Sequence, residues 1–222
     1  MTLTHSESID WADAGTGEVL HGGLTPFGEE VVGEMNRLGM LVDLSHASPG
    51  TMSDVLDVTE APVIFSHSSA RALTDHVRNV PDSILRRMPE NGGVVMVTFV
   101  PSFISEAVRT YEGHPVDTPR ATLGDVADHI EHVRDVAGID HVGIGSDFDG
   151  ITSTPVGLED VSTYPVLFAE LSRRGWSEGD LRKLAGENAL RAWREAESAA
   201  RRIQRVRGPS HATIEELDGT SR

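Results

Sequence analysis

Short apolar runs alternate with longer helical patterns along this chain, an arrangement typical of repeated strand–helix units. Runs rich in β-branched residues predict four strands, at Met40–Leu44, Val63–Phe65, Val94–Val97 and Val142–Gly145. A fifth strand is predicted at Met1–Thr4. Because helical patterns separate these runs, we expect a parallel sheet and a fold of the α/β class.

The helical patterns have recognisable ends. The first helix is predicted to begin after the N-cap Thr25 and to end at Gly39. The strongest pattern, Leu123–Ala137, has apolar residues at spacings of four, three and four. Further helices are predicted from Ser48 onward and over Asp82–Met88, Pro165–Arg173 and Glu178–Ala196. Pro89 is predicted to end the helix over Asp82–Met88, because proline is unfavourable inside a helix.

Two segments lack a regular pattern. The segment from Val108 to Thr122 mixes glycine, proline and charged residues, and a long loop is predicted there. From residue 201 the chain loses its apolar period, and residues 198–222 are predicted to form a partly disordered C-terminal tail. One domain is therefore predicted over residues 1–197.

The number of strand–helix units bears on the architecture. Five units are too few to close an eight-stranded β/α barrel, which typically takes about 250 residues. The alternative is a doubly wound sheet, but Gly143, Gly145 and Gly150 do not complete its G-x-G-x-x-G fingerprint, because Phe148 occupies the third glycine position. A strand pattern already begins at residue 2, so we interpret the chain as the last five βα units of a partial (β/α)8 TIM-type barrel with a helical C-terminus.

Composition limits the classes of binding partner and the residue types that could hold a metal ion. Nineteen Lys and Arg against 35 Asp and Glu give a net charge of -16, which disfavours binding to nucleic acid and to anionic membranes. Without cysteine, any metal must be held by His and carboxylate side chains. No apolar run approaches the ~18 residues of a membrane-spanning helix, and no signal peptide is recognisable, so a cytoplasmic protein without a membrane segment is expected.

Four of the five predicted strands are followed within two positions by a residue that can bind a metal or carry a proton. These residues are His5, His46, His67 and Asp147. In parallel β/α proteins the C-terminal strand ends form the mouth where ligands bind, so the four side chains are expected to converge. A single histidine after a strand is more often a turn residue, and an Asp there is often a helix N-cap, a role that Asp149 fits better than Asp147. The repetition at four strand ends favours a functional pocket.

The chemistry of these four residues favours hydrolysis at a metal site, and three further side chains either contribute to binding or face solvent. Two neutral imidazoles with a carboxylate and water form a known pattern of hydrolytic zinc sites. Arg78 follows the His67 strand and is either solvated or a planar donor for a substrate carboxylate. His129 and His132 lie three residues apart on a predicted helix, where they are expected to face solvent.

Several motifs resemble the renal (membrane) dipeptidase family. They follow one another from residue 2 to about residue 195 and comprise Leu3–Ser6, Leu24–Gly28, Asp43–His46, Ala61–Ala70, Arg78–Asp82, Gly145–Gly150 and Gly157–Val161. The resemblance implies a hydrolase on a β/α barrel that uses two zinc ions to cleave dipeptides with a free carboxyl end.

Residue by residue, the resemblance implies a division of roles. His46 and His67 would bind one zinc ion, and Asp147 would be the catalytic group that handles the proton of the attacking water. Arg78 would hold the substrate carboxylate. His5 would contact the substrate near the scissile carbonyl and stabilise its negative charge.

The chain departs from the family pattern in one respect. Family members carry a His-x-Asp on the first strand and a bridging Glu on a later one, both upstream of the match to His5. We therefore expect an incomplete metallodipeptidase domain over residues 1–197, at most partial zinc occupancy and little activity. The alternatives are an inactive barrel remnant that serves as a scaffold, and a related metal-dependent amidohydrolase with another substrate. Unpaired strand edges are expected to cause aggregation, or assembly with a second copy into a homo-oligomer.

Overall fold

The structure is a computed structural model that describes residues 1–219, and its fold is of the α/β class, as predicted. Within the described residues there are four strands: β1 (Val42–Asp43), β2 (Val63–Phe65), β3 (Val94–Val97) and β4 (Val142–Ile144). The helices, in chain order, are α1 (Pro26–Leu38), α2 (Pro49–Val58), α3 (Asp82–Leu85), α4 (Met88–Asn91), α5 (Pro101–Ile104), α6 (Glu106–Arg109), α7 (Leu123–Ala137), α8 (Tyr164–Arg173), α9 (Glu178–Arg182), α10 (Asn188–Ile203) and α11 (Ile214–Leu217). Across residues 1–219, no helix combines the length and the hydrophobicity that a membrane span requires.

The chain divides into two compact units. The first unit contains Met1–Phe65, Glu90–Val94 and the residues from Ala189 onward, and the second contains Ser66–Pro89 and Val95–Asn188. Parallel pairing joins β1 to β2, and it joins β3 to β4. The parallel strands with intervening helices are those that the alternation of apolar runs predicted.

In the first unit, β1 and β2 pair with Asp43 opposite Ile64. The strand predicted at Met1–Thr4 is wrong in extent, because only Thr2 is bridged, in parallel, to Asp43. The chain bends at Leu3 and again over residues 5–7, so the pairing does not continue. His5 therefore follows a single bridged residue rather than a full strand.

Helix α1 has the ends that the sequence predicts. The hydroxyl of Thr25 accepts a hydrogen bond from the Gly28 amide at 3.2 Å, which caps the helix N-terminus. Gly39 takes φ 73° at the C-terminus, a conformation that glycine adopts without a Cβ clash. Val32 and Met35 are buried on one face, so α1 contributes to the apolar core of the first unit.

The C-terminal segment of the first unit packs on the rest of that unit. Side chains of α10, including Ala199 and Ile203, form a buried cluster with Ala61. Beyond α10, Asp218 accepts hydrogen bonds from the Thr25 hydroxyl at 2.6 Å and from the Phe27 amide at 2.9 Å. Residues 220–222 of the predicted tail lie outside the described residues, and the disorder of the tail stays a prediction.

In the second unit, β3 and β4 pair with Val97 opposite Ile144. Helix α7 has the predicted bounds, because its N-terminus carries a capping box: the Asp125 carboxylate accepts from the Thr122 amide at 2.7 Å, and the Thr122 hydroxyl accepts from the Asp125 amide. Ile130 on this helix is fully buried.

Besides the strands, three predicted segments differ from the structure. The helix predicted over Asp82–Met88 is two helices, α3 and α4, and Pro89 lies in the first turn of α4, where its missing N–H costs no hydrogen bond. The helix predicted over Glu178–Ala196 is interrupted by a π-helical segment, Lys183–Glu187, that contains the non-helical residue Gly186. The loop predicted from Val108 begins inside α6.

Candidate functional site

Positive φ angles single out two of the predicted site residues. Among residues 1–219, the non-glycine residues with positive φ are His46, at 73°, and Asp147, at 68°. This conformation is uncommon for residues with a Cβ, although His and Asp adopt it more readily than most. Such residues persist where the surroundings hold them, and they cluster at functional sites.

His5 and His46 lie together in the first unit. Their rings are stacked, with centroids 4.2 Å apart and an angle of 24° between the ring planes. The hydroxyl of Ser6 shares a hydrogen bond of 3.0 Å with Nδ1 of His5. His46 is buried and His5 is exposed. The structure thus brings a predicted metal ligand against a predicted substrate contact.

The turn that carries His46 is held by Asp43, a residue that the sequence analysis did not single out. The Asp43 carboxylate is buried and accepts hydrogen bonds from the Thr2 hydroxyl at 2.7 Å and from the Ser45 amide at 3.0 Å. The carbonyl of His46 accepts a further hydrogen bond from the Gly15 amide at 2.7 Å. The available signal was a carboxylate near the end of the strand pattern, whereas the candidate residues were those that follow the strands.

His67 and Arg78 lie together in the second unit. Nη2 of Arg78 donates to the carbonyl of His67 at 3.4 Å, and Nδ1 of His67 shares a hydrogen bond of 2.8 Å with the Ser66 hydroxyl. Gly145 packs closely on this turn, since a Cβ there would collide with the Ser66 carbonyl oxygen. The end of β4 therefore lies directly against the segment that carries His67.

Arg78 is buried, with an exposed fraction of 7%. Its guanidinium carbon lies 5.3 Å from the centre of the Phe103 ring, within the range of a cation–π contact. Most arginines are solvated, so a buried one is held for a structural or binding reason. Of the two interpretations offered by the sequence, the structure therefore excludes the solvated arginine.

His76 belongs to the same cluster, although the sequence analysis did not single it out. Its ring stacks on Phe103 at a centroid distance of 4.1 Å, and its Nδ1 accepts a hydrogen bond from the Arg78 amide at 3.1 Å. Burial lowers the pKa of His76, and the positive charge of Arg78 lowers it further. A neutral imidazole therefore lies beside the arginine.

Asp147 lies in the turn that follows β4. It precedes a 3₁₀ turn, Phe148–Gly150, and its side chain makes no capping hydrogen bond to that turn. The Gly150 amide donates to the Asp147 carbonyl at 3.0 Å. A Cβ at residue 150 would collide with Oδ1 of Asp147, so any other residue there would push the carboxylate out of its present position. A capping role does not account for Asp147.

His129 does not face solvent, so the expectation is wrong for this residue, whereas His132 is half-buried. His129 is buried: its Nδ1 accepts from the Ala70 amide at 3.0 Å, and its Nε2 donates to the Ile104 carbonyl at 3.2 Å. Burial lowers its pKa to about 4, so the ring is neutral at pH 7. His132 contacts Asp82 at 2.8 Å. The missed signal was the spacing, because His129 lies three residues after Val126 on the apolar stripe of α7.

The described residues do not complete a metal site. Across residues 1–219, no group of three or more His, Asp or Glu side chains is arranged to hold a metal ion. Catalytic zinc normally takes three protein ligands, and cysteine is absent from the sequence. His46 and His67 have the right chemistry for zinc but are too few to hold it alone.

The chain matches the model of the membrane dipeptidase family, peptidase family M19, over residues 1–207. It is 49% identical over 204 residues to an uncharacterized dipeptidase of Schizosaccharomyces pombe, which covers 91% of this chain and 47% of that protein. The chain therefore spans about half the length of this curated relative.

Two solved structures have a similar fold. The probable dipeptidase PvdM from Pseudomonas aeruginosa is 29% identical, with a TM-score of 0.83, and the match covers 90% of this chain and 62% of that one. A metallo peptidase from Rhodobacter sphaeroides, crystallised with a phosphinate mimic of the dipeptide L-Ala-D-Ala, is 37% identical, with a TM-score of 0.69. That match covers 78% of this chain and 47% of the solved chain.

Proposed function

Because the chain belongs to the membrane dipeptidase family, peptidase family M19, we propose that it carries catalytic residues of a metal-dependent dipeptidase. The reaction is the hydrolysis of the peptide bond of a dipeptide with a free carboxyl end. The observation that carries the proposal is the backbone of His46 and Asp147. These two non-glycine residues with positive φ are the ones to which the family resemblance assigns metal binding and proton transfer.

For the metal, we propose zinc with His46 and His67 as ligands. Neutral imidazoles are good zinc ligands. A hydrogen bond from the Gly15 amide holds the main chain of His46, and a hydrogen bond with the Ser66 hydroxyl holds the ring of His67. Catalytic zinc normally takes three protein ligands, and across residues 1–219 no group of three or more His, Asp or Glu side chains is arranged to hold a metal ion. This chain alone should then bind zinc weakly.

The remaining residues act on the substrate. The Arg78 guanidinium is a planar donor that matches a carboxylate, so it would fix the free carboxyl end of the dipeptide. The imidazole of His5 would donate to the scissile carbonyl oxygen as negative charge develops there. Asp147 would accept a proton from the water whose oxygen attacks the carbonyl carbon. It would then pass that proton to the amine nitrogen as the carbon–nitrogen bond breaks.

Zinc binding by single-histidine variants tests the proposal. We expect His46→Ala and His67→Ala each to weaken zinc binding by about tenfold or more, because losing a residue that only orients a metal ligand already lowers metal affinity about 10–100-fold. Isothermal titration calorimetry at pH 7.5 measures the affinity. His211→Ala is the matched control, since His211 is exposed and should leave it unchanged. Equal affinities for wild type and both variants would contradict the ligand assignment.

A further inference from the structure

We propose that Tyr164, acting through Ser146 and together with the rings of Phe99 and Phe148, positions the carboxylate of Asp147. The inference rests on the proposed role of Asp147 in proton transfer. None of these residues was singled out from the sequence as part of the site. All of them lie in the second unit.

The residue before Asp147 is held at two points. The Tyr164 hydroxyl donates a hydrogen bond to Oγ of Ser146 at 2.9 Å. The Ser146 carbonyl accepts a second hydrogen bond from the Phe99 amide at 3.1 Å. Both the side chain and the main chain of Ser146 are thereby fixed, one by the first residue of α8 and the other by the segment that follows β3.

The residue after Asp147 is held by aromatic packing. The Phe148 ring stacks on the Tyr164 ring at a centroid distance of 6.0 Å and an interplanar angle of 30°. Its other neighbour is Phe99, whose fully buried ring meets it edge to face at 5.5 Å. Tyr164 and Phe99 also meet edge to face, at 6.0 Å, so the three rings form one cluster.

Asp147 needs this support because of its backbone conformation. At φ 68° it occupies a left-handed region in which a residue with a Cβ is held only by its surroundings. Gly150 leaves room for the carboxylate on the far side of the turn. Tyr164 thus contacts both neighbours of Asp147, through its hydroxyl on one side and its ring on the other. It is a positioning residue, since it acts through Ser146 and Phe148.

The chain offers a matched pair of variants, because it has two tyrosines. Tyr164→Phe removes the hydroxyl and keeps the ring. Tyr111→Phe removes a hydroxyl that donates to the His114 carbonyl at 3.1 Å, away from this cluster. Backbone chemical shifts of Asp147, measured by NMR on the full chain, report the left-handed conformation without any need for turnover. We expect Tyr164→Phe to move them toward ordinary values and Tyr111→Phe to leave them unchanged. Unchanged Asp147 shifts in Tyr164→Phe would overturn the proposal.

Kinetics separate this inference from the proposed function. Where dipeptide turnover is measured with added zinc, Tyr164→Phe should lower kcat about tenfold and leave KM within about twofold. In an Asp147→Asn background the same change should have no further effect on kcat. If Tyr164→Phe still lowered kcat about tenfold in the Asp147→Asn background, Tyr164 would not act through Asp147. An Asp147→Asn variant with wild-type kcat would instead contradict the proposed function, and the NMR shifts would still decide whether Tyr164 positions the turn.

Discussion

At the scale of single residues, the contact proposed between Arg78 and the substrate carboxylate gives the most direct test of substrate choice. A substrate without a free carboxylate cannot form a charge-assisted hydrogen bond with the Arg78 guanidinium. We therefore expect Arg78→Ala to raise KM for a dipeptide by about tenfold or more, which corresponds to the loss of about 1.5–3 kcal/mol from a charge-assisted hydrogen bond. The same variant should leave KM for the C-terminally amidated dipeptide within about twofold of wild type.

The control for this prediction is Arg86→Ala. Arg86 is an exposed arginine eight residues further along the chain, and its contact with Asp82 is 3.7 Å long. Steady-state kinetics on both substrates measure the effect. If the dipeptide and its amide lose affinity equally in Arg78→Ala, the arginine supports the fold and does not read the carboxylate.

His129 makes a second residue-scale prediction, on stability rather than activity. Burial lowers its pKa from 6.5 to about 4, so the unfolded chain binds the proton more readily than the folded one. Its stabilising contribution is therefore complete above pH 6.5 and is lost as the pH falls toward 4. Between pH 7.5 and pH 5 the loss in free energy of unfolding should be about 2 kcal/mol from this residue alone.

Urea unfolding at the two pH values measures this contribution. His129→Gln should be less stable than wild type at pH 7.5, because two buried hydrogen bonds are disturbed, but its stability should fall less between pH 7.5 and pH 5. His211→Gln should keep the full wild-type drop, since that side chain is exposed. An equal drop in wild type and His129→Gln would show that another group causes the acid sensitivity.

At the scale of elements, local signals predicted structure well. The bounds of α7, β2 and β3 follow directly from the sequence, because a capping residue or a run of β-branched residues marks each of them. The helix end predicted at Pro89 was wrong, because proline breaks a helix interior but is acceptable in a first turn. Which of the two applies depends on the surrounding chain. The short pairing of Thr2 depends on a bend that no periodic pattern reveals.

Within the candidate site, the sequence predicted positions but not contacts. A residue that follows a strand must lie at its C-terminal end, so the placement of His46, His67 and Asp147 could be predicted. The hydrogen bonds between Tyr164 and Ser146 and between His129 and Ala70 join residues 18 and 59 positions apart. Such pairs depend on tertiary packing, which a single sequence does not encode in any spacing.

At the scale of the whole molecule, two features have opposite effects on self-association: the net negative charge disfavours it, and incomplete strand pairing favours it. Within the described residues, β1 pairs with β2 on one side, and Met1 and Leu3 form backbone hydrogen bonds with Leu41 and Asp43 on its other side. The outer edge at this end is therefore the short segment of residues 1–3. Exposed strand edges favour pairing with a second chain. A net charge of -16 repels such a copy, most strongly when little salt is present.

We therefore expect self-association that increases with salt. Raising the ionic strength from about 0.01 M to 0.15 M shortens the Debye length from about 30 Å to about 8 Å, which screens the repulsion between chains but hardly weakens backbone hydrogen bonds at an edge. Sedimentation velocity at both ionic strengths measures the effect, and return to low salt should restore the smaller species if the association is ordered pairing. A single monomeric species at both ionic strengths would mean that the edge formed by residues 1–3 is already protected in this chain.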